Sequence, residues 1–177
     1  GCEHERIHLE TSSVIMRMLA LQHLTKSPAW QACPYSGSAP ENALIPVVGK
    51  TLTLGKKAED LTYGWDNEYG ELTVEVDNFE VAQFLVSNQE YLAFVGYHNI
   101  DYWTEEGQQW LAFTKATMPR FWRKHGSQYL QRNLLEEIPL PLNWPVEINY
   151  LEAKAFCRWK ALQTKQNVRL PTEAEWM

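Results

Sequence analysis

The residues best suited to chemistry lie at the start of the chain, in the run Glu3-His4-Glu5-Arg6-Ile7-His8-Leu9-Glu10. Two histidines four apart on a helix project from one face, one turn from each other. That spacing lets both imidazoles reach a single ion. Imidazole nitrogen suits iron, zinc, copper or nickel, so His4 and His8 are the candidate metal ligands. Glu10 is the tempting third ligand, but at about 100° per residue it points roughly 200° away from His8. Glu3 and Glu5 adjoin His4 in sequence and also turn aside. The third ligand must come from another element. The bland alternative is an exposed helix carrying two solvated histidines. His23, His98 and His125 are isolated and read as ordinary histidines.

The string His4-Glu5-Arg6-Ile7-His8 also has the HExxH form, in which two histidines bind zinc and the glutamate acts as general base. That competitor needs a downstream Glu or His ligand on a neighbouring helix, and no such element precedes the Pro-rich stretch that follows.

A helix over residues 1 to about 22 is what must position the pair. Ile7, Val14, Ile15, Met18, Leu19 and Leu21 form an apolar stripe at helical spacing. Ser27-Pro28, Cys33-Pro34, Ser36-Gly37-Ser38-Ala39-Pro40 and Pro46 then break any helix. The expected organisation is a helical end at 1–23, a linker at 24–45, and a second domain at 46–177. In that domain Leu52–Gly55 and Leu72–Val76 read as strands. Tyr63–Gly70 reads as a Gly-bounded loop dense in aromatics and acids. Asn88–Val95 reads as a helix with Ser87 as N-cap and Glu90 completing a capping box. Tyr97–Trp122 shows no clear period, and Pro139, Pro141 and Pro145 mark an irregular run. Tyr150–Leu162 reads as a helix with Leu151, Ala155, Phe156 and Trp159 on one stripe. Thr172 caps the start of another helix, and Arg169 is placed to pair with Glu173 or Glu175.

The 177 residues are 45% hydrophobic and 21% charged, an ordinary globular composition. The net charge of −6 repels phosphate backbones and argues against nucleic acid as a partner. No apolar run approaches the roughly 18 to 20 residues of a membrane span, so no membrane partner is expected. Cys2, Cys33 and Cys157 are scattered without a CxxC pair, which fits a reducing, cytoplasmic compartment. Eight tryptophans serve either as core anchors or as walls of a cleft. Gly1 starts inside a charged helical pattern and Met177 follows a Trp directly, so the chain reads as an internal fragment.

The segment Pro145–Trp159 followed by Arg169-Leu170-Pro171-Thr172-Glu173-Ala174-Glu175-Trp176 resembles the formylglycine-generating-enzyme, or sulfatase-modifying-factor, domain. That resemblance implies an α+β fold of the C-type-lectin kind with little regular structure, here incomplete. A fold of this kind hosts several functions and does not fix one. The bland reading of these residues is packing, and Cys157 reads as a small core residue.

An HxxxHxE helix, a linker and such a domain together resemble the ergothioneine- and ovothiol-type sulfoxide synthases. In these a DinB-like helical bundle supplies a three-histidine iron site. The wording of Glu3–Val14, Tyr63–Gly70 and Pro145–Trp159 is similar to the ovothiol, 5-histidylcysteine sulfoxide branch. The ergothioneine branch tends to carry a glutamine where Ile7 stands. The resemblance implies Fe(2+) as cofactor, His4 and His8 as two of its ligands, and a third histidine upstream of Gly1. Cysteine, histidine and dioxygen are the implied small-molecule substrates. The family's catalytic tyrosine belongs to the later part of the domain and is expected beyond Met177. Alternatives from other classes are a non-catalytic lectin-like binding module and a DinB-type metal-dependent thiol transferase.

Overall fold

The computed structural model describes every residue except Val95. The first helix, α1 (Cys2–Met16), is shorter than its apolar stripe suggests. Its last turn tightens, Met18 N–H reaching back to Ile15 and Leu19 N–H to Met16, and a single 3-10 turn follows at Leu21–His23. The helix ends at the Arg17 C-cap, whose backbone is still right-handed at φ −64° and ψ −16°, and whose side chain turns to the rest of the protein as set out below. No residue of α1 is buried. Ile7, Val14 and Ile15 stay exposed.

Residues 24–43 contain no helix or strand. The first strand, β1 (Leu44–Val47), opens two residues before the expected domain start. It is followed by β2 (Lys50–Leu54), β3 (Leu72–Val76) and β4 (Phe79–Ala82). Pairing is nested and antiparallel, β2 with β3 inside and β1 with β4 outside. The two ladders pass into one another at Gly49. A β-carbon there would lie 2.2 Å from the Val76 carbonyl oxygen, so only glycine admits this approach.

Next come α2 (Asn88–Leu92) and α3 (Glu105–Thr114). Ser87 and Glu90 form the expected capping box on α2, which ends at Leu92; the tail of the expected helix at Val95 lies outside the described residues. Helix α3 falls in the stretch that lacked a clear period. Thr104 caps it, but it ends on Lys115 in the left-handed region at φ 55°, without the glycine that normally announces a stop. A three-stranded antiparallel sheet follows, of β5 (Trp122–His125), β6 (Gln128–Arg132) and β7 (Glu137–Pro139). The chain closes with α4 (Tyr150–Thr164) and the one-turn α5 (Glu173–Trp176). Mixed helices and small sheets give the α+β class expected for the second domain.

The core is aromatic. Tyr91, Phe94, Trp103, Trp122, Leu140, Ala155 and Phe156 are buried together. Tyr91 stacks on Phe156 at 5.3 Å between ring centroids and meets Trp122 edge-on at 6.0 Å. The tryptophans therefore divide between roles: Trp103 and Trp122 are core, while Trp30, Trp65 and Trp176 are exposed. All three cysteines are free, and burial pushes the Cys157 thiol up from its ordinary value. Among the described residues no helix is long and apolar enough to cross a membrane.

At the end of the chain Arg169 forks onto Glu175, at 2.7 and 2.5 Å. With the Thr172 backbone N–H behind it, this pairing holds the Glu175 carboxyl at about 2. A depressed carboxyl stabilises the fold above the unfolded carboxylate range, and that stabilisation drains away as pH falls toward 2. Glu175→Gln is expected to lower the urea midpoint at pH 6, with the gap to wild type closing between about pH 4.5 and 2. A gap independent of pH would assign the effect to the lost cap instead.

Candidate functional site

His4 and His8 lie on a common face of α1, as their spacing requires. Their Nε2 atoms approach to 2.9 Å, with the rings edge-on at 4.5 Å between centroids. Two nitrogens each about 2.1 Å from one ion, at about a right angle, lie about 3 Å apart. The pair therefore has the separation of adjacent ligands on an octahedral ion. Without an ion the same contact is a hydrogen bond between the two rings, one Nε2 donating and the other accepting. An ion held by the pair would take a lone pair from each Nε2.

Other candidate groups do not join the pair. Glu3 turns to Arg6 at 2.8 Å. Glu10 is exposed, and among the described residues its carboxylate makes no ion pair; only its backbone carbonyl is used, by the Ser13 hydroxyl. His23, His98 and His125 are exposed and apart. Among the described residues no three His, Cys, Asp or Glu side chains converge where they could hold an ion. The zinc-protease competitor thus lacks its downstream ligand among them, and the iron reading has two of its three imidazoles.

Beyond α1 lies an open cleft of about 810 Å³, within the size range of small-molecule sites. It runs from Trp110 and Lys115, at the end of α3, past Phe121 to Glu147 and Glu152 at the start of α4. No residue of α1 lines it. Glu152, only 3% exposed, sits at its inner end. The Glu152 carboxylate accepts the Tyr97 hydroxyl on Oε1 and the Asn149 N–H, at 2.8 Å, on Oε2. Tyr97 in turn meets the Tyr91 hydroxyl at 3.3 Å. Burial raises Glu152 above the usual carboxylate range and raises both phenols above theirs. This Tyr91–Tyr97–Glu152 chain was not foreseen from sequence. Its one local signal was Asn149 three residues before Glu152, the spacing of a capping box.

The cleft rim also holds the point where α1 meets the rest of the protein. Arg17 Nη1 donates to both oxygens of Glu147, at 2.8 and 2.7 Å. Its Nε and Nη2 donate to the Arg132 carbonyl, at 3.1 and 2.9 Å. Its guanidinium lies 3.6 Å above the centre of the Phe121 ring. Arg132, 2% exposed, answers by donating to the Leu19 carbonyl at 3.1 Å and the Leu134 carbonyl at 2.9 Å. Burial lowers the Arg132 guanidinium from its ordinary value, and these carbonyls are what satisfy its charge there. Partners 115 and 130 residues apart left no trace in the local pattern.

Residues 34–177 fit the model of a family described as the sulfatase-modifying factor enzyme 1-like domain. No curated protein matches the chain.

Proposed function

The chain belongs to the sulfatase-modifying factor enzyme 1-like domain family, and we propose that it is part of a mononuclear non-heme iron sulfoxide synthase joining cysteine sulfur to a histidine ring. The observation that carries this reading is the His4–His8 pair, its Nε2 atoms 2.9 Å apart on a helix that precedes a domain of this family. The proposal takes the branch to be the 5-histidylcysteine type, on the wording of Glu3–Val14 and on Ile7 where the ergothioneine type tends to carry glutamine. It places the helix in a DinB-like bundle, whose other members would cover the exposed apolar stripe.

His4 and His8 would hold Fe(2+) through Nε2, with a third imidazole supplied from outside these 177 residues. When bound, the iron would supply dioxygen activation, dioxygen accepting the four electrons released as the C–S bond and the sulfoxide form, with one oxygen atom going to sulfur and the other to water. The protein's own task would be to aim both Nε2 atoms at one ion, to orient cysteine and histidine beside them, and to exclude water. Glu10, turned from the pair, stays off the ion.

The test begins with the purified 177-residue chain, given ferrous iron, cysteine, histidine and oxygen. No sulfoxide is expected by mass spectrometry, because two imidazoles leave the ion underligated and affinity depends on the complete ligand set. The full-length protein is expected to turn over. Turnover by the chain alone would place the third ligand within it. Silence of the full-length protein would sink the synthase reading and favour the non-catalytic binding module, for which the cleft that α1 does not line is the supporting observation.

A further inference from the structure

Within these 177 residues α1 buries none of its own residues, and the side-chain contacts that tie it to the domain lie at its C-terminal end. Arg17 is the grip there. Its side chain is 13% exposed, and every guanidinium nitrogen is engaged, Nη1 on Glu147, Nε and Nη2 on the Arg132 carbonyl. The flat face rests on Phe121. Arg132 returns the contact by donating to Leu19, two residues further on. The two arginines therefore interlock, Arg17 bonding the carbonyl of Arg132 itself and Arg132 that of Leu19. A planar, forked donor fixes direction as well as distance, which a lysine cannot do. The remaining ties are weaker in kind: Arg120 touches the Met18 sulfur, and Lys26 meets Glu136 at 3.5 Å, the lysine exposed and the glutamate half-buried.

Leverage makes this grip matter. His8 lies nine residues from Arg17, about 13 Å along a helix at 1.5 Å per residue. A tilt of about 10° at Arg17 would move the His8 ring by about 2 Å. Displacements of about 1 Å are enough to cost reactivity of order a hundredfold.

We infer that Arg17 is a positioning residue that registers the His4–His8 helix on the domain, through Glu147, Phe121 and the Arg132 carbonyl. Its importance to catalysis rests on the sulfoxide-synthase reading; its effect on geometry does not. The test is a distance measurement by double electron–electron resonance on the full 177-residue chain. One spin label goes on Cys2 of α1, the other on Leu162→Cys of α4, with Cys33→Ser and Cys157→Ala removing the other thiols.

The reference chain is expected to give one narrow distance. Arg17→Ala is expected to broaden it at least about twofold, a motion of the helix against the domain. Near-UV circular dichroism of the aromatic core should remain unchanged in the variant. Glu147→Ala, at an exposed side chain, is expected to broaden it as well, and serves should Arg17→Ala disturb folding. Lys26→Ala is expected to leave it narrow. A narrow distance in Arg17→Ala and Glu147→Ala, a broad one in the reference, or equal broadening by Lys26→Ala would each overturn the inference. In the full-length protein Arg17→Ala is expected to lower kcat at unchanged iron content. If wild type makes no sulfoxide, the function proposal fails while the distances still decide the role of Arg17.

Discussion

Under the proposed sulfoxide-synthase function, replacing His4 or His8 by alanine is expected to strip iron from the complete enzyme and abolish oxygen-dependent sulfoxide formation, while Glu10→Gln keeps both. The size of the effect follows from ligand number. Even removal of a group behind a metal ligand costs about 10–100-fold in affinity, and loss of a ligand from a three-imidazole set exceeds that. Alanine is the best helix former, so iron loss in these variants is not attributable to a broken helix. Glu10 carries the control because its carboxylate projects from the opposite side of α1, and among the described residues no third side chain converges on the pair. Metal analysis together with product detection decides the matter. Equal iron loss in all three variants would show the angular argument to be wrong. Iron retained at full stoichiometry in His4→Ala and His8→Ala would remove these residues from the site.

The second large effect concerns stability. Glu152→Ala is expected to destabilise the domain by about 3 kcal/mol, combining a lost helix cap of about 1 with about 2 for the lost hydrogen bond from the half-buried Tyr97, whose hydroxyl keeps only the 3.3 Å contact to Tyr91. For a chain of this length that amounts to roughly 10 °C in Tm. Glu152→Gln behaves differently, because it keeps an oxygen for Tyr97 and carries no charge. Burial raises the folded-state pKa of Glu152. The stabilising contribution of its protonated form is therefore complete below the unfolded carboxylate range and lost as pH rises through the folded value. Relative to wild type, Glu152→Gln should look worst at low pH and improve as pH rises. Denaturant midpoints from pH 4 to 8 test this. A difference that stays flat with pH would mean that wild-type Glu152 titrates alike in both states.

Much of the local structure was legible because its causes lie within a few residues. The capping boxes Ser87/Glu90 and Thr172/Glu175 operate over three positions, and both helices begin where those residues stand. The helix Tyr150–Thr164 follows from its stripe, though it runs two residues past the expected end because Lys165 adopts the left-handed cap at φ 57° without glycine. Arg169 found Glu175 within six residues. His4 and His8 share a face for the most local reason of all, the 3.6-residue turn.

Legible from the residues alone, then, are the helix that brings two imidazoles together, the starts of α2, α4 and α5, the strand Leu72–Val76, a strand read at Leu52–Gly55 that forms at Lys50–Leu54, and the α+β character expected of residues 46–177. Tertiary structure alone decided how the second sheet pairs and which polar groups became buried partners. Antiparallel strands such as β5 to β7 are specified by mutual pairing, and their own residues, Trp122 to His125 among them, carry no clean alternation. Arg17 looks like any exposed helix-terminal arginine until Phe121, Arg132 and Glu147 close around it. Glu152 reads as a cap residue until Tyr97 and the core aromatics withdraw it from water. In each case the deciding interaction spans fifty residues or more, and the packing of the whole chain brings its partners together.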